Sequence, residues 1–186
     1  MSFTVNKLNH FAYRCRDAEE TRKFYEDLLG LPLAHIIRAD HVPSTGEYNP
    51  YCHVFFKMGD GSFIAFFDLG DDVTPEPSPN TPAWVNHLAL EVSSMDDLLA
   101  AKKRLEGAGV PVLGVTDHHI IKSIYFFDPN GLRVELTCWS VDEEFMNEES
   151  KSAHERLNEW TRDKQRRLEG AATSNVTIWP GSSPTG

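Results

Sequence analysis

The sequence has few cysteines and no long apolar runs. Its three cysteines, Cys15, Cys52 and Cys138, are odd in number and none forms a C-x-x-C pair. This pattern argues against a disulfide scaffold and favours reduced thiols. No run of residues is long and apolar enough to cross a membrane, and the first residues lack the apolar stretch of a signal peptide. We therefore expect a cytoplasmic location and no membrane partner.

Basic residues are scarce relative to acidic ones. The 186 residues include 18 Lys and Arg against 28 Asp and Glu, which gives a formal net charge of −10. Such a chain repels phosphate backbones, so nucleic acid is not expected as a partner. The length suits one ordinary domain, or two small modules that share a core.

The chain contains an internal repeat. Residues 8–12, LNHFA, return as residues 85–89, VNHLA. Each copy is followed by a helix-start signal, at Asp17 and at Ser94, and each predicted helix ends at a glycine with a proline two residues later. Strand-like runs and a glycine turn into a last apolar strand follow in both halves. Each half therefore reads as strand, helix and three strands.

This repeat predicts an α+β fold with two βαβββ modules that form a cupped mixed sheet. We expect this body to cover 1–140, with module 1 at about 5–69 and module 2 at about 84–140. The intervening residues 70–83 carry four prolines and read as a linker. A further loop is expected at roughly 38–51 because it contains two prolines and a glycine.

The composition changes after the second module. Residues 141–169 are rich in charge and carry apolar residues at helical spacing, which predicts a C-terminal helical extension. Small and polar residues dominate the end of the chain, so 170–186 is expected to be a flexible tail.

Strand alternation places three polar side chains opposite the apolar faces of their strands. His10 and His87 occupy equivalent positions of the two modules, and Glu135 lies between two apolar residues of the last predicted strand. If the two sheets face each other, these side chains converge in one cleft. Two histidines and one carboxylate on one face favour a divalent metal, and Fe(II) in particular. Each histidine taken alone also fits a packing role in a half-buried strand.

A second motif narrows the interpretation. Residues 116–135, TDHHIIKSIYFFDPNGLRVE, contain a histidine, a short spacer, an aliphatic–tyrosine pair, an acidic-Pro-x-Gly turn and a glutamate. With the repeat, this stretch resembles the vicinal oxygen chelate superfamily of glyoxalases, bleomycin resistance proteins and dioxygenases. The resemblance covers roughly residues 5–138 and is closest to the type I extradiol ring-cleavage dioxygenases.

The resemblance implies an activity and a set of residue roles. The expected enzyme is a metal-dependent dioxygenase that cleaves a catechol-like vicinal diol with O2. His10, His87 and Glu135 would bind Fe(II), with Mn(II) or another divalent metal as the alternative. His118 would act as the acid–base group, because an imidazole exchanges protons near neutral pH. Tyr125 would donate a hydrogen bond to the aromatic or other vicinal-oxygen substrate.

Two departures from the family pattern keep alternatives open. Ala65 stands where glyoxalase I-like relatives place a fourth ligand. Extradiol relatives carry a second histidine just before the last strand of module 1, where residues 57–62 read KMGDGS; His53 or His41 is a candidate substitute. The alternatives are an oxygen-independent metal-dependent lyase, isomerase or transferase of the same superfamily, and a non-catalytic small-molecule-binding module. Many relatives pair, so a homodimer is also compatible with the resemblance.

Overall fold

The computed structural model of the protein describes residues 3–76, 78 and 80–174, with the backbone alone for 170–174. The chain divides into two compact units, Met1–Ser140 and Val141–Gly186. Within the described residues, no helix combines the length and the apolar character needed to span a membrane.

The first unit consists of two halves with the same order of elements. Module 1 contains β1 (His10–Cys15), α1 (Ala18–Arg22), a π-helical segment (Lys23–Leu28), β2 (Leu33–His41), β3 (Tyr48–Lys57) and β4 (Phe63–Asp68). Module 2 contains β5 (Leu88–Glu91), α2 (Met95–Gly107), β6 (Leu113–Asp117), β7 (Ile121–Phe127) and β8 (Arg133–Trp139). The predicted α+β class and the two βαβββ modules are confirmed.

Each module forms its own four-stranded mixed sheet. The strand orders are β1-β4-β3-β2 and β5-β8-β7-β6. The first strand of each module pairs in parallel with the last one, and the other pairs are antiparallel. This order places β1 next to β4, and β5 next to β8, so the histidine of each repeat lies near the last strand of its module.

Both helices begin at the residues that the sequence indicates. Asp17 Oδ1 accepts a hydrogen bond from the Glu20 backbone N–H at 2.6 Å, and Ser94 Oγ accepts one from the Asp97 backbone N–H at 3.1 Å. Each cap satisfies a backbone donor that the first helical turn leaves without an intrahelical partner.

The helix-facing sides of both sheets belong to a single hydrophobic core. Phe24 from the π-helical segment lies 6.1 Å from Phe126 of β7, measured between ring centroids. Tyr25, which is fully buried, donates a hydrogen bond of 3.0 Å to Asp128 Oδ2 between β7 and β8. Because side chains alternate along a strand, the faces that carry His10 and Glu135 point away from this core.

The second unit contains one long helix, α3 (Glu143–Ser174). The sequence predicted a helical extension at 141–169 and a flexible tail at 170–186. Residues 170–174 continue the helix, and the rest of the expected tail lies outside the described residues.

The expected loop at 38–51 was wrong in extent. β2 and β3 form a long antiparallel hairpin, and only residues 42–47 connect them. Pro50 is compatible with a strand here because the pairing register shifts between Ala39 and His41, which leaves an irregularity opposite it.

Candidate functional site

The structure brings two of the predicted metal ligands into direct contact. His87 immediately precedes β5, and Glu135 lies in the neighbouring strand β8. The distance from His87 Nε2 to Glu135 Oε2 is 3.0 Å, and the Glu135 side chain is 4% exposed. His87 Nδ1 donates a hydrogen bond to the Val85 carbonyl oxygen at 3.0 Å. In the neutral ring this leaves the lone pair of Nε2 directed at a carboxylate oxygen.

A chain of hydrogen bonds connects Glu135 to the predicted acid–base group. The Tyr125 hydroxyl donates to Glu135 Oε1 at 3.2 Å, and His118 Nε2 lies 2.7 Å from the same hydroxyl oxygen. Because the hydroxyl proton is used towards Glu135, the His118 ring nitrogen is the donor in this arrangement. The predicted residues His118, Tyr125, Glu135 and His87 therefore form one continuous polar row on module 2.

The electrostatics of this row favour a neutral tyrosine. Burial, followed by the negative charge of Glu135, raises the pKa of Tyr125 above its ordinary value. The Tyr125 hydroxyl group therefore keeps its proton near neutral pH and is available as a hydrogen-bond donor.

His10 lies on the other sheet, among aromatic side chains. Its ring centroid is 5.7 Å from that of Phe55 and 6.1 Å from that of His53. His10 Nδ1 donates to Asn9 Oδ1 at 2.8 Å, so Nε2 keeps its lone pair. His10 is exposed at the start of β1.

Comparison with known proteins identifies the family. Residues 7–136 match the model of the Glyoxalase/Bleomycin resistance protein/Dioxygenase superfamily. The chain belongs to this superfamily. This confirms the resemblance inferred from the repeat and from the motif at 116–135.

Two curated relatives of different activity are equally similar to this superfamily member. The chain is 30% identical over 139 residues to a biphenyl-2,3-diol 1,2-dioxygenase of Paraburkholderia xenovorans (strain LB400), covering 72% of this chain and 41% of the dioxygenase. It is also 30% identical over 145 residues to an ethylmalonyl-CoA/methylmalonyl-CoA epimerase of Cereibacter sphaeroides, covering 71% of this chain and 97% of the epimerase. The chain thus spans about two fifths of the length of the dioxygenase.

A solved structure supports the fold. Glyoxalase I of Leishmania major matches with a TM-score of 0.56 at 17% identity, over 83% of this chain and 99% of the other. At this identity the match concerns the architecture of the two modules alone.

Members of the superfamily usually use a divalent metal, and part of the predicted ligand set fits one. His87 Nε2 and Glu135 Oε2 lie 3.0 Å apart, and an imidazole nitrogen and a carboxylate oxygen are ligand types that divalent metals such as Fe(II) accept. The bond from His87 Nδ1 to a backbone carbonyl oxygen is the support that metal-binding histidines usually have. Among the described residues, however, no group of three or more His, Cys, Asp or Glu side chains could hold a metal ion. The pair His87 and Glu135 therefore fits a metal. The predicted triad, which also includes His10, is not assembled within one copy of the chain, so the metal roles stay a prediction.

The two candidate substitutes for the missing histidine of module 1 lie in different places. His53 is buried between Phe55 and Phe67, with its ring stacked on Phe67 at 3.6 Å. Burial, then the neighbouring His10 and His35, lowers the pKa of His53 to about 4, so its ring is neutral near pH 7. His41 is exposed at the far end of β2, against the ring of Tyr48. Of the two, His53 is the one beside His10.

Arg133 lies beside these residues and was not among the site residues predicted from the sequence. Its guanidinium carbon lies 4.5 Å from the centroid of the Tyr125 ring. Strand alternation was a sufficient signal, since Arg133 precedes Glu135 by two residues and therefore shares its face.

Proposed function

We propose that the protein is a metal-dependent enzyme that cleaves a catechol-like vicinal diol with O2 in the extradiol manner. The observation that carries this proposal is the row of hydrogen bonds from His118 through Tyr125 to Glu135. The similarity to a biphenyl-2,3-diol 1,2-dioxygenase supports the same reaction.

The residues of the row divide the work of handling the substrate. His118 is positioned to donate or accept a proton near the substrate oxygens, through the ring nitrogen that now faces Tyr125. Tyr125 stays protonated, and its hydroxyl proton, which points to Glu135 in this structure, would turn to a substrate oxygen when substrate binds. Glu135 orients that hydroxyl group from its buried position.

The metal would be held by His87 and Glu135, with His10 as the third ligand. A bound Fe(II) ion would supply Lewis acidity and one-electron chemistry, and Mn(II) is the alternative. Of these residues, His87 and Glu135 lie on module 2 and His10 on module 1.

We infer that His10 reaches the pair from a second copy of the chain. The support is that the two faces carrying these side chains point away from the core that the modules share. Apolar side chains near His10 and near His87 are exposed, among them Leu8 with 50% and Val85 with 40% of its surface accessible. Pairing of two copies through these faces would bury them. An equimolar mixture of His10→Ala and Glu135→Gln proteins, co-refolded, should then recover activity that each variant lacks, whereas no recovery contradicts a shared site.

Oxygen uptake tests the reaction. Protein reconstituted with Fe(II) under argon is mixed with oxygenated buffer and a panel of catechols, and the yellow ring-opened product is followed together with O2. His118→Ala should lower the rate by about 10²–10⁴-fold, the usual contribution of a general acid–base group. His119→Asn is the matched control, because it changes the adjacent imidazole and asparagine tolerates the left-handed backbone at that position, φ +70°. No uptake by protein with stoichiometric iron would refute the proposal.

An oxygen-independent reaction of the same superfamily is the second candidate. Two observations favour it: the alignment with the ethylmalonyl-CoA/methylmalonyl-CoA epimerase covers 97% of that protein, and residues 57–62 contain no histidine before β4. An isomerase would use the same row of residues for proton transfer alone. Turnover that persists under strict anaerobiosis would favour this candidate over the dioxygenase.

A further inference from the structure

A cavity of about 500 Å³ is lined by residues of both modules, among them His87 and Arg133. Its walls are largely apolar and include Phe11, Phe127 and Leu132, while His87 and Arg133 supply its polar edge. The described residues that line it include no aspartate or glutamate, although the chain as a whole carries a net charge of −10. Arg133 is the one arginine or lysine among the described residues that line the cavity, and no carboxylate lines it with Arg133.

Three of the six arginines of the first unit pair with carboxylates among the described residues, and Arg133, like Arg38 and Arg104, does not. Arg14, Arg16 and Arg22 each form ion pairs with neighbouring acids. Among the described residues, none of the ion pairs involves Arg133, and its buried Nε has no hydrogen-bond partner. Its guanidinium carbon contacts the face of the Tyr125 ring, 4.5 Å from the ring centroid.

An unpaired guanidinium at the edge of an apolar cavity is a binding site for an anion. Its planar fork of N–H groups matches a carboxylate with two parallel hydrogen bonds, and it stays charged at any physiological pH. The guanidinium carbon lies over the Tyr125 ring, and this cation–π contact restrains the group while the described residues form no hydrogen bond with its outer N–H groups.

We propose that the substrate carries a carboxylate in addition to its vicinal oxygens, and that Arg133 binds this carboxylate within the cavity. The proposal deepens the proposed function and rests on it for the position of the reacting oxygens at His87 and Glu135. The apolar walls hold the carbon skeleton between the two polar ends. The same pocket serves an acidic catechol or another small acid with adjacent oxygens.

Two ligands of the same shape and different charge test the proposal. The dissociation constants of 3,4-dihydroxybenzoate and its neutral analogue 3,4-dihydroxybenzamide are measured by calorimetry under argon, with Mn(II)-loaded and with metal-free protein. The acid should bind about tenfold more tightly than the amide, which is a typical gain for one charge-assisted pair. This preference should shrink as salt is raised.

Arg133→Met should abolish the preference for the acid over the amide, so that the two ligands bind with similar affinity. The matched control is Arg167→Met in α3, which also removes an arginine stacked on an aromatic ring, that of Trp160 at 4.4 Å. It should keep the preference. If Arg133→Met does not fold by circular dichroism, Arg133→Lys supplies the test, because it keeps the charge and loses the planar fork, so a reduced preference is expected.

Each outcome decides the proposal. Equal affinity of acid and amide for the unaltered protein, a preference that survives in Arg133→Met, or no binding of either ligand would overturn it. If tighter binding of the acid depends on Arg133 in both metal-loaded and metal-free protein, the carboxylate site is supported. If the same protein takes up no O2, the dioxygenase reaction fails while the carboxylate site stands. The two failures are thus distinguishable.

Discussion

Removal of a single hydroxyl group tests whether the two modules share one core. Tyr25 is fully buried, and in a Tyr25→Phe variant its ring still packs against Phe56 and Phe66, at 5.4 and 4.9 Å. The substitution therefore removes little besides the 3.0 Å hydrogen bond to Asp128 Oδ2 on module 2. A buried bond to a charged group contributes about 1.5–3 kcal/mol net. For a protein of 186 residues, at about 2–4 °C per kcal/mol, we expect Tm to fall by roughly 3–12 °C.

The pH dependence of the same variant gives the sign of the effect. Burial is the largest influence on Asp128 and raises its pKa above 3.8, while hydrogen bonds from Leu132, Asn130 and Tyr25 partly oppose this rise. Because the pKa of Asp128 is higher in the folded than in the unfolded state, its protonated carboxyl group contributes its full stabilisation below pH 3.8. This contribution is lost as the pH rises through the pKa of Asp128 in the folded protein. Loss of the Tyr25 hydroxyl group raises that pKa further. The cost of Tyr25→Phe should therefore be larger at neutral pH than at pH 3.

Urea unfolding, followed by circular dichroism at both pH values, measures the free energy of unfolding. Tyr48→Phe on an exposed strand position, 69% accessible, is the control and should change stability by less than about 0.5 kcal/mol. A double-mutant cycle with Asp128→Asn isolates the coupling between the two side chains. Equal costs for the two tyrosine variants, or no coupling in the cycle, would refute the shared core between the modules.

Three other outcomes follow from the packing of the first unit. Leu105 in α2 is 1% exposed, and Leu105→Ala should lower the free energy of unfolding in urea by about 2–5 kcal/mol. Leu99→Ala, on the exposed side of the same helix, should lower it by less than about 0.5 kcal/mol. Similar costs for the two variants would contradict the assigned buried face of α2. Ser94→Ala removes the helix cap and should cost about 1 kcal/mol, with an unchanged Tm as the contrary result. Burial raises the pKa of Cys15 to about 12, so iodoacetamide at pH 8 should alkylate this thiol only when the protein unfolds, and after Cys52. Mass spectrometry measures the order of labelling. Rapid labelling of Cys15 in the native protein would contradict its burial.

Local patterns were sufficient to predict the modules and the strand faces on which the candidate site residues lie. The repeat at 8–12 and 85–89 gave the order of elements, and the caps at Asp17 and Ser94 gave the helix starts. Alternation in β8 correctly separated buried Val134 and Leu136 from Glu135 on the other face. These features depend on period and on hydrogen bonding within a few residues, which a sequence displays directly.

Long-range packing accounts for what the sequence did not predict. Alternation assigns His10 to one face of its strand, but the contact of Tyr25 with Asp128 decides how the two modules are packed together. That contact joins residues about a hundred positions apart, and no periodic pattern encodes it. The convergence of His10 with His87 and Glu135 therefore stays a prediction. Similarly, the proline and glycine content of 38–51 predicted a loop, because the sequence does not reveal a strand partner that tolerates Pro50.

Metal binding by single-site variants tests the central claim most directly. Titration with Fe(II) and with Mn(II) under argon gives the stoichiometry and affinity for the unaltered protein and for His10→Ala, His87→Ala and Glu135→Gln. We predict one metal per chain, with affinity reduced by at least about tenfold in each variant, since even supporting residues of metal sites cost that much. His154→Ala on α3, an exposed histidine, should bind as the unaltered protein does. Unchanged affinity in His87→Ala and Glu135→Gln would contradict the account, and unchanged affinity in His10→Ala alone would remove module 1 from the site.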